Sequence, residues 1–248
     1  MTTTTQAQAP RLEVKDVSMR FGKIVSLEGV SFTVGVGEVV ALLGDNGAGK
    51  STMVKIISGI YRPSTGKILL DGVSHRGSTP RDARKAGVET VHQDLALVET
   101  MSISRNFFLG AEPRKRGLLD TRRMERDTAK ALADVGLQNI RNTGQNVSAL
   151  SGGERQAISI GRAVAFGTRL LILDEPTSAL SVAETNKVFS YVRRAKETGL
   201  SVILIMHNLE QVRQVADRFV VLEHGRVIAD VDNTGQDEAT LISMLSTH

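Results

Sequence analysis

Gly44-Asp45-Asn46-Gly47-Ala48-Gly49-Lys50-Ser51 has the spacing G-x-x-x-x-G-K-[ST], which suits a polyphosphate. Its glycines let the backbone turn so that N–H groups face phosphate oxygens, while Lys50 brings a mobile cation and Ser51 a hydroxyl for Mg²⁺. Thr52 follows at a helix start, whose positive dipole end adds to the anion site. Further along, Leu170-Leu171-Ile172-Leu173 runs into Asp174-Glu175. Asp174 is the expected holder of Mg²⁺, and Glu175 is placed to orient and deprotonate a water that attacks the terminal phosphate. Leu150-Ser151-Gly152-Gly153-Glu154 opens another helix with Ser151 as its cap, and such a start is a second anion site. The three groups together point to hydrolysis of a nucleoside triphosphate rather than to binding alone.

These groups need rigid elements behind them. Glu38 to Leu43 is an apolar, β-branched run that reads as a buried parallel strand leading into the glycine loop. Thr52 to Ile60 carries Met53, Ile56, Ile57 and Ile60 at helical spacing. Leu170 to Leu173 is a second buried strand, so Asp174 and Glu175 sit at its carboxyl end, where ligands bind in open α/β sheets. Leu12, Val14 and Val17 open a strand, Val30 to Val34 read as another, and Lys67 to Gly72 as a third closed by an Asp-Gly turn. Val88 to His92 is a short strand, and from Asp94 to about Glu154 the pattern turns helical. Then follow a helix over Ala183 to Thr198, a strand over Val202 to Met206 and a helix over Asn208 to Ala216. A hairpin of Phe219 to Leu222 with Arg226 to Ala229 comes last. The expected architecture is α/β: a mostly parallel core, an antiparallel N-terminal sheet and an inserted helical lobe.

The 248 residues are 41% hydrophobic and 23% charged with a net charge of +4, as in ordinary globular proteins. Arg114-Lys115-Arg116 and Arg122-Arg123 form the densest basic cluster, which reads as a solvated face. Aromatic content of 4% without Trp argues against a base-stacking surface, so no nucleic-acid partner is expected. The absence of cysteine excludes disulfides, thiolate metal sites and cysteine catalysis. No stretch reaches the roughly 18 apolar residues that span a bilayer. Residues 1–10 read as a disordered polar tail and 11–246 as one domain, cytoplasmic unless a partner holds it at a membrane.

With these motifs in this order, the sequence resembles the ATP-binding cassette (ABC) ATPase family from about Arg11 to Leu245. The resemblance implies a P-loop NTPase fold with a RecA-like core, and ATP and Mg²⁺ as cofactors. It also assigns expected roles residue by residue. Gly44, Asp45, Asn46, Gly47, Ala48, Gly49, Lys50, Ser51 and Thr52 hold the phosphates, and Phe21 stacks on adenine. Gln93 reaches Mg²⁺ and the attacking water, and senses the transport partner. Ser151, Gly152 and Gly153 are the family signature, Ser178-Ala179-Leu180 resembles the D-loop, and His207 matches the histidine that contacts the γ-phosphate. Lys50, Gln93, Glu175 and His207 are thus the expected catalytic set, and Ser51, Gln93 and Asp174 the expected metal set. Two positions depart from the pattern: Ser181 stands where the D-loop commonly ends in Asp, and Met206 where Ser or Thr usually precedes the histidine.

In this family the signature of one subunit caps the ATP held by another, so a homodimer in the ATP-bound state is expected. The resemblance further implies the energising subunit of an importer at the cytoplasmic face of a membrane. It would dock an integral-membrane permease near Gln93 to Gly110 and be served by a periplasmic or extracellular solute-binding protein. Thr90-Val91-His92-Gln93-Asp94-Leu95 and Asn106-Phe107-Phe108-Leu109-Gly110 look like the monosaccharide importers of the ribose, xylose and fructose group, in single-cassette form. Two alternatives stay open: a soluble ABC ATPase acting on a ribosome or nucleic acid, and an importer of a solute other than sugar.

Overall fold

A computed structural model of the protein describes residues 9–75, 79–92, 95–140, 142–206 and 209–233. The N-terminal half contains β1 (Leu12–Phe21), β2 (Ile24–Val34), β3 (Val39–Leu43) and α1 (Lys50–Ile57), then β4 (Thr65–Leu70), β5 (Val73–Ser74), α2 (Pro80–Lys85) and β6 (Val88–Val91). An inserted lobe follows, with α3 (Ile103–Phe107), the strands β7 (Arg114–Lys115) and β8 (Leu118–Leu119), and α4 (Thr121–Asp134). α5 (Gly152–Ala165), β9 (Leu170–Asp174), α6 (Val182–Glu197), β10 (Ser201–Ile205), α7 (Leu209–Val212), β11 (Arg218–Glu223) and β12 (Arg226–Asp232) complete the fold.

Two sheets carry it. One is antiparallel with order β2-β1-β4-β5, and the other has order β12-β11-β3-β10-β9-β6 and is parallel except for β12. β3 and β10 are buried at every residue, as expected for parallel strands covered on both faces. Alternation divides their side chains between two cores. Val39, Ala41, Leu43, Val202 and Leu204 face the helical side with α5 and α6. Val40, Leu42, Ile203 and Ile205 face α1 and the antiparallel sheet. A purely apolar run therefore still obeys the two-residue strand period.

Strand order brings the chemistry together. β10 lies between β3 and β9, so the glycine loop after β3 and the carboxylates ending β9 flank one strand. At the opposite end, Arg218 on β11 donates to Glu38 Oε1 at 2.8 Å and to Thr33 O at 2.6 Å, and pairs with Asp230. Burial alone would lower the affinity of this guanidinium for its proton, but the carboxylates of Glu38 and Asp230 outweigh it and hold the group charged.

Four expectations shift. β2 begins at Ile24, not at Val30, because its first half is largely exposed and offers little apolar alternation. α1 ends at Ile57, where Gly59 (φ 75) closes the helix and Ile60 N–H bonds back to Lys55 O at 2.8 Å. Ile60 is consequently half exposed instead of buried on the helix face. The expected Asn208–Ala216 helix shortens to α7, with turns after Val212. The lobe also contains the β7–β8 hairpin, whose Arg116-Gly117 turn (φ 51 and 83) suits a tight reversal.

Candidate active site

The glycine loop closes onto the N-terminus of α1, with Gly49 (φ 105) at the cap. A Cβ at Gly49 would lie 2.6 Å from Leu27 Cδ2 and 2.8 Å from Ser26 O, so only glycine lets the loop meet β2 this closely. The tip of the β11–β12 hairpin enters the same junction. Gly225 N–H donates to Ala48 O at 3.1 Å, and Glu28 N–H donates to Gly225 O at 2.8 Å. Ser26 Oγ and Thr52 Oγ1 share a hydrogen bond of 2.8 Å. Loop, hairpin and β2 are thus clamped together, while a cleft of about 420 Å³ runs beside Asp45, Asn46 and Gly47 toward His224.

Gly225 carries that clamp at φ 78, and an added Cβ would lie 2.6 Å from Ser26 O. Gly225→Ala is expected to destabilise the protein by about 2–4 kcal/mol, through backbone strain and displacement of the loop. Urea unfolding measures the loss, and a fluorescent ATP analogue should bind more weakly; unchanged values for both would remove the clamp's importance.

Lys50 is buried, and its Nζ donates to Gly44 O at 2.5 Å and Asp45 O at 2.9 Å. Desolvation pushes the ammonium pKa below its ordinary value, while the charges of Glu175, Asp45 and Asp174 pull it back up. Asp174 at the end of β9 and Glu175 just after it therefore act on the loop lysine through their charges. Asp174 also lies beside His92, whose Nδ1 is 3.7 Å from Asp174 Oδ2. Glu175 adopts φ 50, and its N–H donates to Ile205 O at 3.0 Å. Its own carbonyl accepts from Ser178 N–H at 3.3 Å and Ser178 Oγ at 3.2 Å. A residue with a side chain in the left-handed region is held there by its surroundings, and such strain gathers at functional sites.

Phe21 ends β1 and is 41% exposed, available to a planar ligand. Its ring meets Tyr61 edge-on at 5.3 Å, a partner the sequence pattern did not single out. Ser51 follows Lys50 on the first turn of α1 and is exposed. Gln93 and His207 lie outside the described residues.

The signature segment stands apart from this group. Ser151 caps α5: its Oγ accepts from Glu154 N–H at 3.3 Å, and Glu154 Oε2 accepts from Ser151 N–H at 2.9 Å. Gly152 and Gly153 pack against Leu180 and Glu184. Among the described residues, no hydrogen bond joins Ser151, Gly152 or Gly153 to the phosphate loop. The departure at Ser181 also has a local explanation. Ser181 caps α6, and Glu184 Oε2 accepts from Ser181 N–H at 3.1 Å and Ser181 Oγ at 2.8 Å. A carboxylate thus reaches the D-loop end from three residues downstream.

Known proteins resemble this chain over most of its length. A xylose/arabinose import ATP-binding protein of Sulfolobus acidocaldarius is 44% identical over 217 residues, covering 88% of this chain and 86% of that one. A fructose import ATP-binding protein of Rhizobium meliloti is 41% identical over 247 residues, covering 96% and 95%. A ribose import ATP-binding protein of Rubrobacter xylanophilus is 40% identical across 92% of this chain but only 46% of its own length. Among solved structures, an ABC transporter cassette in its ADP conformation superposes with a TM-score of 0.81 at 23% identity, covering 96% of this chain and 95% of that one. A dimeric cassette in a post-hydrolysis state with ADP and Pi gives 0.74 at 24%, covering 90% and 99%. At these identities the two structures establish the fold. Residues 27–178 match the ABC transporter family, and the chain belongs to that family as one of its ATP-binding, ATP-hydrolysing cassettes.

Proposed function

We propose that this chain is the ATPase subunit of an importer for a monosaccharide or similar small polar solute. Two copies would share two ATP molecules. One observation carries the dimer: a single chain holds the phosphate loop, the paired carboxylates and the signature, yet its signature makes no hydrogen bond to its own loop among the described residues. A second copy would bring Ser151 and Gly153 to the phosphates from the far side.

In this reading Lys50 and the N–H groups of Gly47 to Ser51 hold the β- and γ-phosphates, and Phe21 stacks on the base. The Ser51 hydroxyl and Asp174 carboxylate are hard oxygen donors that fit Mg²⁺, which supplies charge neutralisation when bound. Gln93 would join them, and His207 would meet the γ-phosphate. Glu175 accepts a proton from the attacking water and keeps the nucleophile in line, while Lys50 and the opposing signature stabilise negative charge on the transferred group.

The lobe offers a docking face for a permease. Asn106, almost fully buried, folds the preceding loop by accepting from Val98 N–H at 2.8 Å and donating to Val98 O at 2.9 Å. Val98 and Leu109 remain exposed on this lobe, and the exposed Phe166 at the end of α5 packs on its Phe107 and Phe108. The sugar assignment is supported by the sugar-import roles of the relatives, and a subunit that energises an importer with ATP would sit on the cytoplasmic face of the membrane.

The test is a complex of this chain with its permease, reconstituted in vesicles with the solute-binding protein. ATP-dependent accumulation of xylose, ribose or fructose is expected. Absence of uptake for every sugar, together with salt-sensitive RNA stimulation of hydrolysis, would overturn the assignment in favour of a non-membrane partner.

A further inference from the structure

The signature helix touches the catalytic carboxylate's segment through one buried side chain. Gln156, two residues after the signature motif, is 4% exposed, and its Nε2 donates to Pro176 O at 2.9 Å. Its Oε1 is buried and has no hydrogen-bond partner among the described residues. Leu or Met would fill this space without burying an orphan acceptor, so apolar packing alone does not account for an amide here. What the amide uniquely supplies is a donor to the carbonyl directly after Glu175.

A second contact sits one helical turn away. Gly152 approaches the D-loop so closely that a Cβ there would lie 2.4 Å from Leu180 Cδ2. The start of α5 is therefore joined to residues 176–180 at two points, and Glu175 in turn is held at φ 50 by Ile205 O and by Ser178. Displacement of the signature helix pulls on Pro176 and so on the strained residue before it.

We infer that Gln156 is a positioning residue that makes the placement of Glu175 depend on where the signature helix of the same chain sits. The inference rests on the shared-site dimer. There, the signature helix of one copy reads the ATP bound by its partner, whereas Glu175 acts on the ATP bound by its own loop. Gln156 then reports occupancy of the partner's site to the copy's own carboxylate, and the two sites hydrolyse cooperatively.

The experiment uses the full chain with ATP and Mg²⁺. Gln156→Met keeps the volume and removes the donor. It is expected to retain ATP affinity and ATP-dependent dimerisation, lower kcat by about three- to tenfold, and bring the Hill coefficient for ATP down toward unity. Gln156→Glu should follow it at neutral pH. Its rate relative to wild type should then recover as pH falls, because the protonated carboxyl regains an O–H for Pro176 O. Wild-type kcat and cooperativity in Gln156→Met would overturn the inference while leaving the dimeric ATPase intact. So would a lower kcat with unchanged cooperativity, or a loss of ATP binding that marks a structural defect. If wild type itself stays monomeric with ATP, it is the shared-site reading that fails.

Discussion

Glu175→Gln is expected to leave ATP binding intact, accumulate an ATP-stabilised dimer and cut turnover by about 100- to 1,000-fold or more. The amide matches the carboxylate in shape, so the bond from the residue 175 backbone N–H to Ile205 O and the Ser178 contacts to its backbone carbonyl survive. What disappears is the group proposed to take a proton from water. In the proposed site one negative charge beside the γ-phosphate is also lost, which favours bound ATP. Size-exclusion chromatography with ATP and Mg²⁺ and phosphate release together check this outcome. A variant that remained monomeric at saturating ATP, or hydrolysed at the wild-type rate, would remove Glu175 from the role proposed for it.

Lys50→Ala has the second large effect, and both binding and turnover should suffer. The ammonium is buried between Gly44 O and Asp45 O, close enough to Glu175, Asp45 and Asp174 for their charges to favour its protonated form. In the proposed site, removing it would leave those carboxylates and the phosphates with one cation fewer between them. Turnover should fall by about 100- to 1,000-fold or more, in line with the loss of one preorganised donor to transition-state charge. Lys50→Arg should not rescue it, because a planar guanidinium does not replace a point charge between two carbonyls. Phosphate release and titration with a fluorescent ATP analogue measure the two losses. Intact turnover in Lys50→Ala would undo the assignment of the loop.

The sequence alone determined which local structures form. A glycine loop between an apolar strand and a helix, a buried strand ending in Asp174-Glu175 and a Ser151 cap are all contiguous. Their backbone geometry follows from residue types within a few positions. Membership of the family and the parallel core were legible for the same reason.

Only the tertiary structure decided which distant pieces meet. Gly225 is tied to Ala48 and Glu28, Tyr61 stands beside Phe21, and Gln156 reaches Pro176. In sequence each looks like ordinary turn or core material, because nothing within a few residues marks its partner. Hydrogen bonds and close contacts between segments far apart in the chain depend on strand order and helix docking. Those are settled by how the whole fold shares its two cores, not by any single stretch of it.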